Sequence, residues 1–284
     1  MENIPMVTVV VPTKNSAATL HRCLQSIVEQ QYPSLELIVV DNGSVDSTKE
    51  IARAYTGKVF DCGPERSAQR NLGARKATGS FLLFIDSDMV VSSLVIKSCI
   101  EAIRMKPFLQ GLVVPEESYG NGFWAQCKKL ERSFYVGISW MEAARFFTTQ
   151  AFWEVEGYDE TTTGGEDYDL PQRIASRFGG ESLGRVGEYI FHNEGNLSLL
   201  KTCKKKFYYA QGLLKYRLME ENKNNFMRQS SIWKRYRLFF SNPKKLFRKP
   251  LIGIGMLVMK TCEFASGYAG YVVATQKKGI SSKL

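Results

Sequence analysis

The sequence predicts an α/β fold, a mainly parallel sheet flanked by helices, followed by a basic amphipathic helical tail. Three observations predict it. Short β-branched apolar runs alternate with helix-patterned segments over residues 7–88, the pattern of parallel strands joined by right-handed helical crossovers. One run, Phe81-Leu82-Leu83-Phe84-Ile85, is apolar without a break and ends in Asp86-Ser87-Asp88. It is too short for a helix to be the better reading and suits a strand buried on both faces of a covered sheet. After residue 200 the composition changes: residues 201–260 hold sixteen Lys/Arg against two Glu, so the net charge of +10 belongs to one segment and the remainder is slightly acidic.

At 284 residues, 44% hydrophobic and 12% aromatic, the chain can bury a large core. The change of composition divides it into an α/β domain over 1–200 and a basic, aromatic helical region over 201–284. Six cysteines are scattered with no C-x-x-C pair, which argues against a disulfide framework or a zinc site and suits a reducing cytosol. The N-terminus shows no basic region followed by an apolar core, so no signal peptide is expected.

Val7–Val11 reads as the first strand, followed by a Pro12-Thr13-Lys14-Asn15 turn and a helix to about Gln30, capped by Asn15 or Ser16. Leu35–Val40 is the second strand, closed by Asp41-Asn42-Gly43-Ser44, with Ser44 or Asp46 capping a helix to about Tyr55. Residues 65–77 read as a third helix ahead of the 81–85 strand. Further strands are expected at Gly111–Pro115 and Val186–Phe191, and a helix over 120–140.

This order brings Pro12–Asn15, Asp41–Ser44, the loop before Glu65 and Asp86–Asp88 to the edge where open α/β sheets bind ligands. Asn15 and the backbone amides near it can hold phosphates or a ribose. Asp41 is placed to accept from a ribose hydroxyl or a base N–H, unless it serves only as a turn residue. Arg66 and Arg70, one helical turn apart, share a face that can reach a base or a diphosphate, although a solvated face explains Arg66 equally. Two crowded carboxylates at 86 and 88 repel unless a cation lies beside them. Oxygen ligands completed by substrate phosphates describe Mg2+ or Mn2+. The competing reading is a solvated Asp-Ser-Asp turn. His192, at an expected strand end, is a candidate to complete the metal shell beside Asp88.

The stretches Val11-Pro12-Thr13-Lys14-Asn15, Val39–Thr48, Gln69–Arg75, Ala77-Thr78-Gly79 and Phe84–Asp88, then Glu156–Glu160 and Gly164–Leu170, resemble family 2 glycosyltransferases of the GT-A fold. The resemblance covers roughly residues 5–200. It implies inverting sugar transfer from a nucleotide-diphosphate sugar, usually UDP- or GDP-linked, with Asp41 matching the nucleoside-binding aspartate and Asp86 and Asp88 handling ribose and metal. The Phe191-His192-Asn193-Glu194-Gly195 stretch recurs in the same resemblance. The candidate nucleotide-sugar contacts are then Pro12, Thr13, Asn15, Asp41, Ser44, Arg70, Asp86 and Ser87, and the metal ligands Asp88, Asp86 and His192.

Inversion needs a base on the face of the sugar opposite the diphosphate. Glu166 and Asp167, after a flexible Thr-Thr-Thr-Gly-Gly run and ahead of a helix from Tyr168 to Arg177, supply the candidates. Carboxylates also sit favourably in any first helical turn; the resemblance favours Asp167 as base. Trp153 and Tyr158 can line a sugar pocket or belong to the core.

In the tail, Ile232, Trp233, Tyr236, Phe239 and Phe240 alternate with Lys234, Arg235 and Arg237. Aromatic and basic sides describe a helix lying on an anionic membrane. Leu251–Ala274 has the length to span but carries Lys260 and Glu263 near its centre, which favours an in-plane or shallow hairpin anchor. A basic helix folded back over the protein is the alternative. No nucleic-acid motif accompanies the charge, so no nucleic acid partner is expected. The family's processive members carry Q-x-x-R-W. Gln229-Ser230-Ser231-Ile232-Trp233 lacks the arginine, which favours transfer of one sugar. These readings combine as a metal-dependent enzyme on the cytoplasmic face of a membrane, with residues 201–275 against anionic lipid and a lipid-linked acceptor in cell-surface polysaccharide synthesis. The rivals are a sugar nucleotidyltransferase, which should open on a glycine-rich loop missing near Pro12, and a catalytically silent nucleotide-sugar-binding scaffold.

Overall fold

A computed structural model describes residues 4–161, 165–218 and 231–277. The chain divides into two compact units that are not contiguous in sequence: Met1–Glu116, Ala143–Thr161 and Glu166–Asn193 form the first, and Glu117–Glu142, Thr162–Gly165 and Glu194–Leu284 the second. Residues 117–142 therefore group with the tail, a partition that the change of composition at residue 200 does not reveal.

The first unit holds β1 (Val7–Thr13), α1 (Ala17–Val28), β2 (Leu35–Asp41), α2 (Thr48–Arg53), β3 (Val59–Asp61), α3 (Arg66–Lys76), β4 (Phe81–Phe84), β5 (Met89–Val91), α4 (Val95–Met105) and β6 (Gly111–Val113). After β7 (Glu116–Asn121) and α5 (Gly122–Ser133), the first unit resumes with β8 (Ala144–Thr148), α6 (Thr149–Glu154), α7 (Glu166–Phe178), β9 (Leu183–Arg185) and the start of β10 (Ile190–Asn196). Its seven-stranded sheet runs β3-β2-β1-β4-β8-β6-β9. β1 pairs parallel with β2 and β4, and β2 with β3; β8 runs antiparallel between β4 and β6. The expected α/β sheet with helices around it is what forms.

The apolar runs bury both faces, as two-sided strands must. Val7, Val9 and Val11 pack with Leu20, Leu24 and Ile27 of α1 on one side. Val10, Ile38, Val40, Leu82 and Phe84 meet Phe147, Phe152 and Leu170 on the other.

Several details differ from the sequence reading. β1 runs on through Pro12 to Thr13, with Pro12 opposite Val40. Proline is tolerated there because its missing N–H would face β4, and that ladder ends at Val10 opposite Phe84. α2 starts three residues later than a Ser44 cap implies: Ser47 is its N-cap, and Asp46 accepts from the Thr48 backbone. β3, too short to show a period, was not legible. α5 is shorter than 120–140. α7 begins at Glu166 rather than Tyr168, so the acidic pair is its first turn. His192 sits inside β10, opposite Met89 of β5, not at a strand end. Most of the Thr-Thr-Thr-Gly-Gly run, and Gln229 and Ser230, lie outside the described residues.

The second unit contains α5, α8 (Leu199–Leu218), α9 (Ile232–Phe240), α10 (Pro243–Leu246) and α11 (Pro250–Lys277). α11 is one unbroken helix of 28 residues, which rules out a hairpin within it. It packs on α5 and α8, and its glycines allow the approach: a Cβ on Gly255 would lie 2.3 Å from Phe123, and one on Gly270 2.2 Å from the Phe207 carbonyl oxygen. Lys260 and Glu263 are buried with Lys128 and Glu131 of α5, not turned to lipid. No described helix is long and apolar enough to cross a membrane. The aromatic side of α9 is also split. Phe239 is buried and Tyr236 lies on α11, whereas Ile232, Trp233 and Phe240 stay exposed beside Lys234 and Arg237. All six cysteines are free thiols.

Candidate active site

The C-terminal ends of β1, β2 and β4 place Thr13, Asp41 and Asp86 along one edge of the sheet, and α3 and α7 bring Arg70 and Asp167 to it. The loops after β1 and β2 are tied to each other. Asp41 is fully buried and accepts from the Ser44 backbone N–H at 2.7 Å, the Ser44 hydroxyl at 2.5 Å and the Thr13 hydroxyl at 3.0 Å. Asn15, held at a left-handed φ of 48° that asparagine tolerates, donates its N–H to Ser44 Oγ and accepts from the Val45 N–H. Ser87 shares a hydrogen bond of 2.8 Å with Ser16. Thr13, Asn15, Asp41 and Ser44 therefore hold one another, with Ser87 tied separately to Ser16, and what the edge exposes here is Asn15 and the loop backbone. Pro12 is buried in the strand and is not a surface for ligand.

The electrostatic centre is Arg70. It is completely buried, stacks 5.0 Å over the Tyr158 ring, and donates from Nη1 to Asp167 at 2.6 Å and from Nη2 to Asp86 at 2.8 Å. A direct contact from Arg70 to a base or diphosphate is thus corrected: its fork is spent on two carboxylates. Two more guanidinium groups face the second Asp86 oxygen, Arg145 at 3.6 Å and Arg66 at 4.0 Å. Arg66 also pairs with Glu166 at 2.9 Å, and Arg145 with Glu116 at 2.6 Å. Burial works to raise the Asp86 carboxyl, but Arg70, Arg145 and Arg66 outweigh it and hold it well below the usual carboxylate range. Glu166 moves the other way: burial, then the neighbouring Asp167 charge, raises it against Arg66 and Arg70. Its Oε2 is buried without a hydrogen-bond partner.

Two carboxylates stay open. Asp167 is 27% exposed and Asp88 40% exposed. Glu166, almost fully buried, is the weaker candidate for a base that must reach substrate. Asp88 lies 3.1 Å from His192 Nε2, so β5 and β10 put a carboxylate oxygen and an imidazole nitrogen together. Among the described residues no group of three or more metal-ligating side chains forms. Asp86, the third expected ligand, faces Arg70, Arg145 and Arg66 in this structure. The Asp88–His192 pair still fits Mg2+ or Mn2+, hard cations that take most of their shell from water and phosphate oxygens.

Arg145 and Glu116 were missed by sequence reasoning. The signal was a lone arginine in the otherwise apolar Ala144-Arg145-Phe146-Phe147 run, since a charge buried in a strand must meet a carboxylate. Tyr158 is a core residue that meets Phe84 edge-on at 5.1 Å, and Trp153, half-buried against that core, meets Phe152 at 4.9 Å.

A mainly parallel sheet with paired carboxylates after β4 and an acidic helix start opposite them is the GT-A arrangement. The chain belongs to glycosyl transferase family 2, whose model matches residues 8–162. A validoxylamine A glucosyltransferase from Streptomyces hygroscopicus subsp. jinggangensis is 29% identical over 218 residues, 61% of this chain; the match spans 52% of that relative, so the chain covers about half its length. Among solved structures, the mannosyltransferase PcManGT from Pyrobaculum calidifontis, in complex with GDP-Man and Mn2+, superposes with a TM-score of 0.62 over 98% of this chain and 89% of that one, at 15% identity. Glucosyl-3-phosphoglycerate synthase from Mycobacterium tuberculosis, in complex with Mn2+, UDP and glucosyl-3-phosphoglycerate, superposes with a TM-score of 0.51 over 74% and 79%, at 19% identity. At these identities the structures establish the shared fold.

Proposed function

We propose that this chain transfers a single sugar, with inversion, from a UDP- or GDP-sugar to a hydroxyl acceptor. One observation carries the reading: a buried arginine, Arg70, joins the carboxylate at the end of β4 to the open carboxylate at the start of α7. That link fixes donor and base positions relative to each other, which is what displacement at a sugar carbon requires. Family membership, and relatives named for GDP-Man, UDP and glucosyl transfer, support the same reading.

Asp167 takes the proton of the acceptor hydroxyl. Its exposure lets it reach substrate, and the Arg70 bond fixes its orientation. Asp88 and His192 would hold Mg2+ or Mn2+, which when bound supplies positive charge to the leaving diphosphate. The loops tied by Asn15, Ser44 and Asp41 present backbone amides to the nucleotide. Arg66, half-exposed and paired with Glu166 beside Asp86, is the better candidate than Arg70 to meet a phosphate.

The acceptor we propose is lipid-linked, in polysaccharide synthesis at the cytoplasmic face of a membrane. The basic segment 201–275 supports this. The test incubates protein-bearing membranes with labelled UDP- and GDP-sugars and manganese, then extracts lipid. Label in the organic phase is expected. Free sugar-1-phosphate would favour a nucleotidyltransferase, and donor binding without any turnover a silent scaffold.

A further inference from the structure

The outer face of α11 is unusual for a helix on a protein surface. Exposed positions at Leu251, Ile254, Val258, Thr261, Ala265 and Tyr268 are spaced three and four apart. That is a stripe of ~25 Å without one charged side chain. An outward helix face ordinarily carries Lys and Glu. Here the helix's own charges, Lys260 and Glu263, are on the inner side with Lys128 and Glu131. The inner side also carries Met256 and Met259, so apolar side chains stand on both sides of α11, and those of the outer side are left exposed. Leu251 is 76% exposed.

α9 borders this stripe. Its Tyr236 hydroxyl shares a 2.5 Å hydrogen bond with Thr261, one of the stripe residues. One turn from Tyr236, Trp233 projects outward at 86% exposure, and Phe240 follows a turn later on the same helix. Between them stand Lys234 and Arg237, which with Trp140, Leu238 and Ser241 line a shallow groove of about 450 Å³. Lys244, Arg248 and Lys249 follow on the corner leading into α11. None of these five cations pairs with a carboxylate among the described residues, whereas Lys49, Lys128, Arg132 and Arg173 elsewhere do.

We infer that the outer stripe of α11 and the adjoining edge of α9 form a docking surface for an anionic phospholipid bilayer. This rests on the membrane association proposed above and says which atoms make it. The apolar stripe enters the acyl boundary, Trp233 sits at the interface, and Lys234 and Arg237 hold headgroup phosphates in the groove. Charge chooses this occupant over a second copy of the chain. Self-pairing of the patch would bring five uncompensated cations against the same five, whereas an acidic bilayer neutralises them. Nucleic acid would use the cations but leave the aliphatic stripe in water.

The test sediments the full-length protein with vesicles of phosphatidylcholine, with or without phosphatidylserine. Binding is expected only with phosphatidylserine, and released by salt. Replacing Leu251→Gln, Ile254→Gln and Val258→Gln together should abolish it while leaving far-ultraviolet circular dichroism and melting unchanged, because these side chains are exposed. Lys234→Ala with Arg237→Ala should weaken it about 25-fold, at roughly fivefold per charge. A vesicle-induced blue shift in tryptophan emission should vanish in Trp233→Phe. If no vesicle binds the wild-type protein, membrane association itself fails. If the triple glutamine variant binds like wild type, the bilayer meets another face and this assignment alone fails. Equal binding to phosphatidylcholine alone, or vesicle-free self-association that the triple variant removes, would also overturn it.

Discussion

Two buried ion clusters, one in each unit, look alike by charge and differ in completeness. In the second unit Lys128 and Lys260 each contact both Glu131 and Glu263, at 2.6–2.9 Å. The Tyr135 hydroxyl donates to Glu131 as well. Burial works to raise both carboxyls, yet the two lysines hold Glu131 well below the usual range and bring Glu263 down to about 2. None of these four side chains leaves a buried polar atom without a partner. In the first unit Arg66, Arg70 and Arg145 converge on Asp86 at distances from 2.8 to 4.0 Å. There Arg70 Nε, Arg145 Nη1 and Glu166 Oε2 are buried without hydrogen-bond partners. A closed cluster fixes α11 on α5. A partly satisfied one is costly to keep, and at the strand ends it suits the proposed site, where spare hydrogen-bonding capacity can meet a ligand.

The comparison predicts opposite failures. Asp167→Asn should lower sugar transfer by ~10²–10⁴-fold with nucleotide binding retained, measured by turnover and by calorimetric titration with UDP and GDP. If turnover survives, the open cluster does not contain the base. Lys260→Met, in the closed cluster, should instead cost ~3–5 kcal/mol of folding stability, because one buried lysine then faces two carboxylates. Urea denaturation reads this, and the Kd for nucleotide should stay unchanged. A shift in nucleotide affinity at constant stability would reverse the assignment of the two clusters.

The fold was legible because buried parallel strands write themselves as unbroken apolar runs, as Val7–Val11 and Phe81–Ile85 do. The roles of single charges were less so. Asp41, Asp86 and Asp167 were found because strand ends and helix starts are sequence features. That Arg70 would be buried under two of them was not visible, since helix spacing shows that Arg66 and Arg70 share a face but not what covers it. Arg145 comes from a strand nearly sixty residues beyond Asp86, and only the antiparallel insertion of β8 beside β4 brings them together. In the tail, the apolar period could not say that half of α9's aromatic residues are core, because core and membrane accept the same side chains.

Glu36 tests the rule at a third buried carboxylate, far from both clusters in role. It is filled by Lys58, the Thr8 hydroxyl and the hydroxyl and backbone N–H of Thr78. Burial alone would raise it, but these partners bring it from 4.5 down to about 2. A depressed carboxyl supplies stability that is fully present above the unfolded value and lost as the pH falls through the folded one. Glu36 should therefore contribute ~3 kcal/mol at neutral pH, vanishing between about pH 4.5 and about pH 2. Glu36→Gln should flatten that part of the stability–pH curve without affecting transfer. A curve unchanged in shape would mean that filled carboxylates here are not the stabilising ones.

Arg145 gives the smallest effect and the sharpest discrimination, because it belongs to both kinds of interaction at once. Its Nε fills Glu116 at 2.6 Å, while its Nη1 only approaches Asp86, at 3.6 Å. If the open cluster exists to bind, Arg145→Met should weaken donor binding by about tenfold and cost only ~1–2 kcal/mol of stability from the lost bond to Glu116. Glu116→Gln removes the filled contact and keeps the open one, so it should cost stability and spare the donor KM. Arg145→Lys should resemble Met for the donor, since one ammonium cannot serve two carboxylates in different directions as a guanidinium does. If Arg145→Met and Glu116→Gln change stability and KM in the same proportion, Arg145 is a structural arginine, and the buried unpartnered atoms at the strand ends mark no binding function.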